Sequence, residues 1–247
     1  MSAHPEFSVT GRVACVTGGS SGLGQAMAAA LADAGAWVVT VSRGQAEWVD
    51  GTRSVSVQAD VSELDHLPAL ATAVAEPFGP PDILINAAGI NTRQKADDVT
   101  SDGWQKTIDL NLSAPFFLAQ ALAPAMKEKG WGRIVNIASL QSSRAFPGGI
   151  AYGATKGGIS QLTRAMAEAW SPHGINANAL APGFFPTALT GPVFSDPELS
   201  ARHAAQTCIG RNGTMDDIVG PALFLCSEAS AYVTGQVLHV DGGFTAK

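Results

Sequence analysis

Seven short apolar runs punctuate the chain, and most of the segments between them have helical periodicity or a helix-forming composition. The runs are RVACVT (12–17), AWVVTV (36–41), SVSVQ (54–58), DILIN (82–86), RIVNIA (133–138), INANAL (175–180) and QVLHV (236–240). Helices are predicted over Leu23–Ala34, Leu64–Ala75, Ala114–Lys129, Ala151–Trp170 and Met215–Ser227. Strand and helix in alternation leave few topologies open: right-handed βαβ units that build a parallel sheet covered on both faces. A composition of 46% hydrophobic and 15% charged residues supplies the apolar surface such a sheet must bury. No Pro/Gly/Ser-rich linker or charge run divides residues 1–247, so the expectation is one α/β domain, doubly wound around a seven-stranded parallel sheet. Sheets of this kind bind ligands outside the carboxyl ends of their strands, which makes the residues just after each run the candidates for function.

Composition narrows the partners. A formal charge of -6 with no basic stripe gives a nucleic-acid backbone nothing to hold. No run approaches the roughly 18 apolar residues of a membrane span, and MSAHPEFSVTGR has no charged region followed by an apolar stretch, so a cytoplasmic protein is expected. Cys15, Cys208 and Cys226 are widely spaced with no C-x-x-C pair and read as reduced thiols. The five histidines form no i, i+4 pair and no cluster with cysteine, and no metal is expected.

The segment VTGGSSGLGQAMAAAL follows the first run and opens a helix. Gly18, Gly22 and Gly24 allow a tight turn and close approach of backbone to a diphosphate, whose charge is stabilised by the N–H groups and dipole at the helix start. With a strand before it and a helix after it, the loop meets the context required of a dinucleotide site. The same residues also spell G-x-S-x-G, the nucleophile elbow of a serine hydrolase, with Asp216 and His239 following in the required order after Ser20. That alternative puts the elbow after the first strand rather than after several, and gives Tyr152 and Lys156 no task. Asp60, just after the third run, can accept a hydrogen bond from an adenine amino group or serve as a helix cap. Asn86, Ala87, Ala88 and Gly89 end the fourth run with small residues that let a ligand lie against backbone.

In SLQSSRAFPGGIAYGATKGG, residues 139–158, Lys156 lies one helical turn after Tyr152. Side chains at i and i+4 are neighbours on a helix, so the ammonium can stand beside the phenol. At ~5 Å and an effective dielectric near 20 the attraction is about 3 kcal/mol, enough to bring a tyrosine from ~10 to ~8. Such a tyrosine can donate a proton to a carbonyl under reduction or remove one from an alcohol. Ser139, directly after the fifth run, can hold the same substrate oxygen, and Asn111 can fix a helix carbonyl or a water that relays the proton.

TGGSSGLG, NAAG, the set Asn111, Ser139, Tyr152 and Lys156 with its Y-x-x-x-K spacing, and APGFFPT resemble, in order and spacing, the short-chain dehydrogenase/reductase family over essentially the whole chain. The resemblance implies a Rossmann fold and NAD(P)-dependent hydride transfer. It makes Tyr152 the acid-base, places Lys156 on the nicotinamide ribose, assigns Ser139 to the substrate oxygen and Asn111 to the proton relay. It extends the cofactor contacts to Ser20, Ser21, Leu23, Val61, Pro182, Gly183, Phe185 and Thr187, and implies a homotetramer. AGINTRQ, NIASLQS, LTRAMAEAW and VDGGF are similar to the gluconate and 2-deoxygluconate dehydrogenases within the family, with 3-oxoacyl carrier-protein reductases as the alternative. For a sugar-acid substrate, a small ketone or alcohol, Arg93 is a candidate carboxylate clamp or else a surface arginine, and Gln141, Arg144 and Phe185 compete for the pocket. A noncatalytic nucleotide sensor would keep the glycine loop without a use for Tyr152.

Coenzyme choice turns on the end of the second run. A carboxylate there would select NAD(H), but the place is taken by neutral Ser42, followed by Arg43, a partner for the 2′-phosphate of NADP(H). NADP(H) is therefore expected over NAD(H), with Glu47 close enough to neutralise Arg43. Only ten residues lie between Arg43 and Ser54, fewer than many family members use for a full helix.

Overall fold

A computed structural model of the chain describes residues 5–247, so the first four residues of the N-terminal stretch inspected for a leader lie outside it. The seven strands are β1 (Val13–Thr17), β2 (Trp37–Ser42), β3 (Ser54–Gln58), β4 (Ile83–Asn86), β5 (Gly132–Ile137), β6 (Ile175–Pro182) and β7 (Val237–Val240). They form one sheet in the order β3-β2-β1-β4-β5-β6-β7, and every pairing is parallel. Strand order reverses beside β1, whose Val16 is in register with Thr40 on one side and Ile85 on the other. The crevice of a doubly wound sheet opens at that reversal. The expected single-domain Rossmann architecture is the one observed.

Alternating side chains divide the core into two layers. Cys15, Val39, Leu84 and Ile134 face α2 (Leu67–Ala75), α4 (Ala114–Lys129) and α5 (Ile150–Trp170). Ala14, Val16, Ile83, Ile85 and Val135 face α1 (Gly22–Asp33) and α8 (Met215–Leu225). Burial on both faces is what makes β1, β2 and β4 read as largely apolar runs in the sequence.

Helix ends differ from the sequence expectation for local reasons. α2 starts at Leu67 behind a 3-10 turn, Leu64–His66, because Pro68 lacks an N–H and fits only the first turn of an α-helix. α8 stops at Leu225 rather than running to Ser227. Three helices were not predicted: α3 (Ser101–Ile108), capped by Thr100, and the pair α6 (Gly191–Phe194) and α7 (Pro197–Gln206), the latter capped by Asp196. A π-helical turn, Asp109–Ser113, joins α3 to α4.

The short crossover from β2 to β3 contains no helix. Asp50 Oδ1 accepts the N–H groups of Thr52, Arg53 and Ser54 at 2.8–3.0 Å and so closes a turn before β3. These bonds hold the Asp50 carboxyl well below the usual carboxylate range. Trp48 packs from this segment onto the α1 side of the core.

Candidate active site

A cleft of about 670 Å³ opens at the carboxyl ends of β1, β2 and β4 and is lined by Gly18, Ser20–Gly24, Ser42, Arg43, Asp60, Val61 and Ala87–Gly89. Its floor is glycine by necessity. Gly18 has φ +67°, and a Cβ there would stand 2.9 Å from the Ala88 nitrogen; one on Gly24 would stand 2.3 Å from the Gly18 carbonyl oxygen. Ser21 caps α1 without a side-chain hydrogen bond, so no side chain covers the first-turn amides. A backbone cradle at an uncapped helix N-terminus is the donor set that a diphosphate requires, and the residues present fit a dinucleotide. Asp60 lines the cleft but caps no helix: its Oδ1 closes a turn by accepting from Ser62 N and Oγ, at 2.9 and 2.7 Å, and the helical turn that follows begins only at Leu64. The Ser62 contacts and the Arg43 charge lower its pKa. Arg43 thus faces Asp60, and it forms no ion pair with Glu47 among the described residues.

Asn86 departs from expectation. Its Nδ2 donates to the Asn136 side chain at 2.9 Å and to the Pro115 carbonyl at 3.3 Å, so it ties β4 to β5 and α4 instead of lining the cleft. Asn111 is 1% exposed and reaches neither cleft wall. Sitting in the π-helical turn, it accepts from Ile90 N at 2.9 Å, donates to Ile90 O at 2.8 Å, and donates to Thr155 Oγ1 at 3.3 Å. Thr155 in turn donates to the Tyr152 carbonyl, so Asn111 braces the strand-end loop against the helix carrying Tyr152.

Tyr152 and Lys156 lie in the first two turns of α5, both buried. Small residues let the helix pack closely on the π-helical turn; a Cβ on Gly158 would stand 3.1 Å from the Leu112 side chain. The geometry keeps the two side chains neighbours, as their spacing predicts, but the tyrosine's pKa moves the other way. Lys156 Nζ donates to the Ile137 carbonyl at 2.5 Å and stands 5.5 Å from the Tyr152 ring centre. Burial pushes the Tyr152 phenol up, against smaller opposing contributions from the Ser139 side chain and the Arg93 charge. Burial also lowers Lys156 to about 8. Burial disfavours the charged form of each group, a cost that the pairwise attraction alone does not include. Ser139 begins a 3-10 turn, with its Oγ accepting from Gln141 N at 3.1 Å.

A second pocket, of about 380 Å³, adjoins the first, and Tyr152, Leu23, Ile137, Thr187 and Leu189 border both. Arg93, Ser139, Gln141 and Phe185 line it, as do Pro182 and Gly183, for which a cofactor contact was expected. Further walls, among them Asn91, Phe146, Phe184, Val193, Leu199 and His203, come from residues that the sequence does not mark for this role. Phe184 stands in the quoted APGFFPT, and the Asp196-Pro197 pair marks α7, which brings Leu199 and His203; nothing local marks Phe146. Arg93 adopts φ +53°, unusual for a side-chain-bearing residue, and its guanidinium donates to the Leu189 carbonyl across the pocket mouth. Arg144 is corrected: it turns away to the carbonyls of Thr245 and Lys247 and lines neither pocket. The hydrolase constellation does not assemble, since Ser20 lines the first cleft without Asp216 or His239.

Three comparisons bear on this arrangement. The family profile described as enoyl-(acyl carrier protein) reductase matches residues 18–245. The gluconate 5-dehydrogenase of Gluconobacter oxydans (strain 621H) is 41% identical over 253 residues, covering 98% of each chain. The 2-dehydro-3-deoxy-D-gluconate 5-dehydrogenase of Escherichia coli (strain K12) is 40% identical over 251 residues, again 98% of each. Among solved structures, a gluconate 5-dehydrogenase from Burkholderia cenocepacia J2315 in complex with NADP and tartrate matches with a TM-score of 0.93 at 38% identity, covering 98% of each chain.

Proposed function

The chain belongs to the short-chain dehydrogenase/reductase family, and from that premise we propose that it interconverts a secondary alcohol and a ketone on a sugar acid or polyol, using NADP(H) in preference to NAD(H). The observation that carries the reading is the position of Tyr152, on the border between a glycine-floored cleft and a second pocket, with Ser139 on one side and Lys156 on the other. The dinucleotide, when bound, supplies or accepts the hydride. Gly18 and the first turn of α1 hold its diphosphate, Asp60 and Val61 its adenine end, and Ser42 with Arg43 the 2′-phosphate. Lys156, aimed by the Ile137 carbonyl, meets the nicotinamide ribose. Tyr152 gives its phenolic proton to the carbonyl oxygen in reduction and takes the hydroxyl proton in oxidation. Ser139 Oγ–H donates to the same oxygen and fixes it in line. Asn111 serves as a brace for the loop and helix on which these groups stand.

Arg93 is the group placed to meet an anionic end of the substrate, by exchanging its bond to the Leu189 carbonyl for a carboxylate. The aromatic walls, Phe146, Phe184 and Phe185, support a second reading, an acyl thioester carried by a carrier protein. Following coenzyme absorbance with gluconate, its 5-keto counterpart, polyols and a 3-oxoacyl thioester tests both. Turnover of the sugar acids at higher kcat/KM than the thioester is expected; the reverse order overturns the sugar-acid assignment.

A cytoplasmic homotetramer belongs to the same reading. Support comes from Tyr232, fully exposed, and Leu238 on the edge strand β7, and from Cys15 and Cys226, buried and unpaired.

A further inference from the structure

The helix-free segment after β2 touches the glycine loop at one peptide unit. The Gly19 carbonyl accepts from Trp48 Nε1 at 2.8 Å, and the N–H of Ser20, the other end of the same peptide, donates to Ser42 Oγ at 3.2 Å. Both ends of that plane are therefore held by residues from β2 and the loop after it. Reversing the peptide would break both bonds at once. A glycine is where such a reversal meets least steric resistance, yet a side chain cannot be used there to prevent it: a Cβ on Gly19 would stand 2.8 Å from the Thr40 side chain. The restraint has to come from outside the loop.

Trp48 is equipped to supply it. Its ring packs on the α1 layer of the core, and its segment is pinned on both sides, by Ala46 N donating to Ser56 Oγ at 3.1 Å and by the Asp50 turn. We propose that Trp48 is a positioning residue for coenzyme binding: the indole N–H fixes the peptide between Gly19 and Ser20, and so keeps the amides that follow, at the start of α1, turned toward the diphosphate. The shortened crossover thereby does what a packed crossover helix would do by bulk. This rests on the dinucleotide reading of the cleft but not on the choice between NADP(H) and NAD(H), because the diphosphate is common to both.

Trp48→Phe keeps the ring and removes the donor. The expected result is a loss of affinity for NADPH and NADH by the same factor, roughly three- to tenfold for one hydrogen bond. The loss should appear in the coenzyme KM rather than in kcat, with a melting temperature close to that of the wild type. Unchanged affinity for both coenzymes would show that only the ring's packing matters, and a loss confined to NADPH would place the effect at the 2′-phosphate; either overturns the proposal. If the variant does not fold, Ser42→Ala loosens the same peptide from its other end. It should then weaken NADH as well as NADPH, and an unchanged NADH affinity overturns the tether. Wild-type protein that binds neither coenzyme would instead defeat the dinucleotide reading itself, an outcome visible before any variant is made.

Discussion

The two cavities that meet at Tyr152 are built on different principles. The coenzyme cleft has a floor of backbone and small side chains close to the ends of β1, β2, β3 and β4, to which α5 adds Tyr152 and Lys156. The substrate pocket is walled chiefly by large side chains from separated segments: the loop after β4, residues 139–147, the loop after β6, and helices α6 and α7. It is backed by the C-terminal segment as well. Phe244, 4% exposed, lies 6.2 Å from the Phe146 ring and 5.7 Å from the Phe184 ring, and Phe184 stacks on His203 at 3.8 Å. Arg144 and Lys247 tie this tail down, the first onto the carbonyls of Thr245 and Lys247, the second onto those of Ala205 and Thr207. A diphosphate is the same in every substrate pair the coenzyme serves, so main-chain donors suffice to bind it. A particular alcohol has to be recognised by shape, and shape comes from side chains that only the folded chain assembles.

Changes at the border should affect both sides, and changes on one side should spare the other. The largest effect belongs to Tyr152→Phe, which removes only the proton donor: kcat should fall by ~100-fold to 10,000-fold. Coenzyme affinity measured by fluorescence titration should hardly move, and retention of more than about a tenth of the wild-type kcat with chemistry rate-limiting would refute the role. The same residue sets the pH response. Because burial raises its pKa, the phenol is protonated at neutral pH; alcohol oxidation, which needs the phenolate, should climb up to about tenfold per pH unit into the alkaline range. Ketone reduction should stay flat over the neutral range, and equal slopes in both directions would count against the assignment.

Arg43→Ala confines its damage to the coenzyme side. NADP(H) affinity should fall roughly tenfold to a hundredfold at low salt, and less at high salt because the residue is exposed, with NAD(H) little altered. Equal losses for both coenzymes, or tighter NADH than NADPH binding by the wild type, would refute the NADP(H) preference. Phe244→Ala works on the other side. Removing a buried aromatic costs about 3 kcal/mol or more, which lowers the melting temperature by at least ~6 °C in a chain of this size. The KM for the carbonyl substrate should rise several-fold while coenzyme affinity holds; a parallel loss of coenzyme affinity would mean that the two cavities are not separable.

Local signals carried the fold and the coenzyme side a long way. The apolar runs marked all seven strands to within two residues, because the central strands are buried almost throughout and the edge strands β3 and β7 still carry apolar residues between their polar ones. The glycine loop and the Tyr152/Lys156 spacing fixed the elements on which the chemistry stands, since a tight turn and a helical face are properties of neighbouring residues. Spacing misled where the answer depended on solvent. It put an ammonium near a phenol, as the structure does, but predicted an acidified tyrosine, whereas burial raises Tyr152. Long-range partners were equally out of reach: Asn86 went to Asn136, Arg144 to the tail, and Trp48 to Gly19, at separations of 50, 103 and 29 residues. The amino-acid order alone thus settles what local sterics and periodicity control, the parallel sheet and the cradle at its carboxyl edge. Desolvation and the meeting of distant side chains exist only once the chain has closed on itself, and they decide the protonation of the tyrosine and the walls of the substrate pocket.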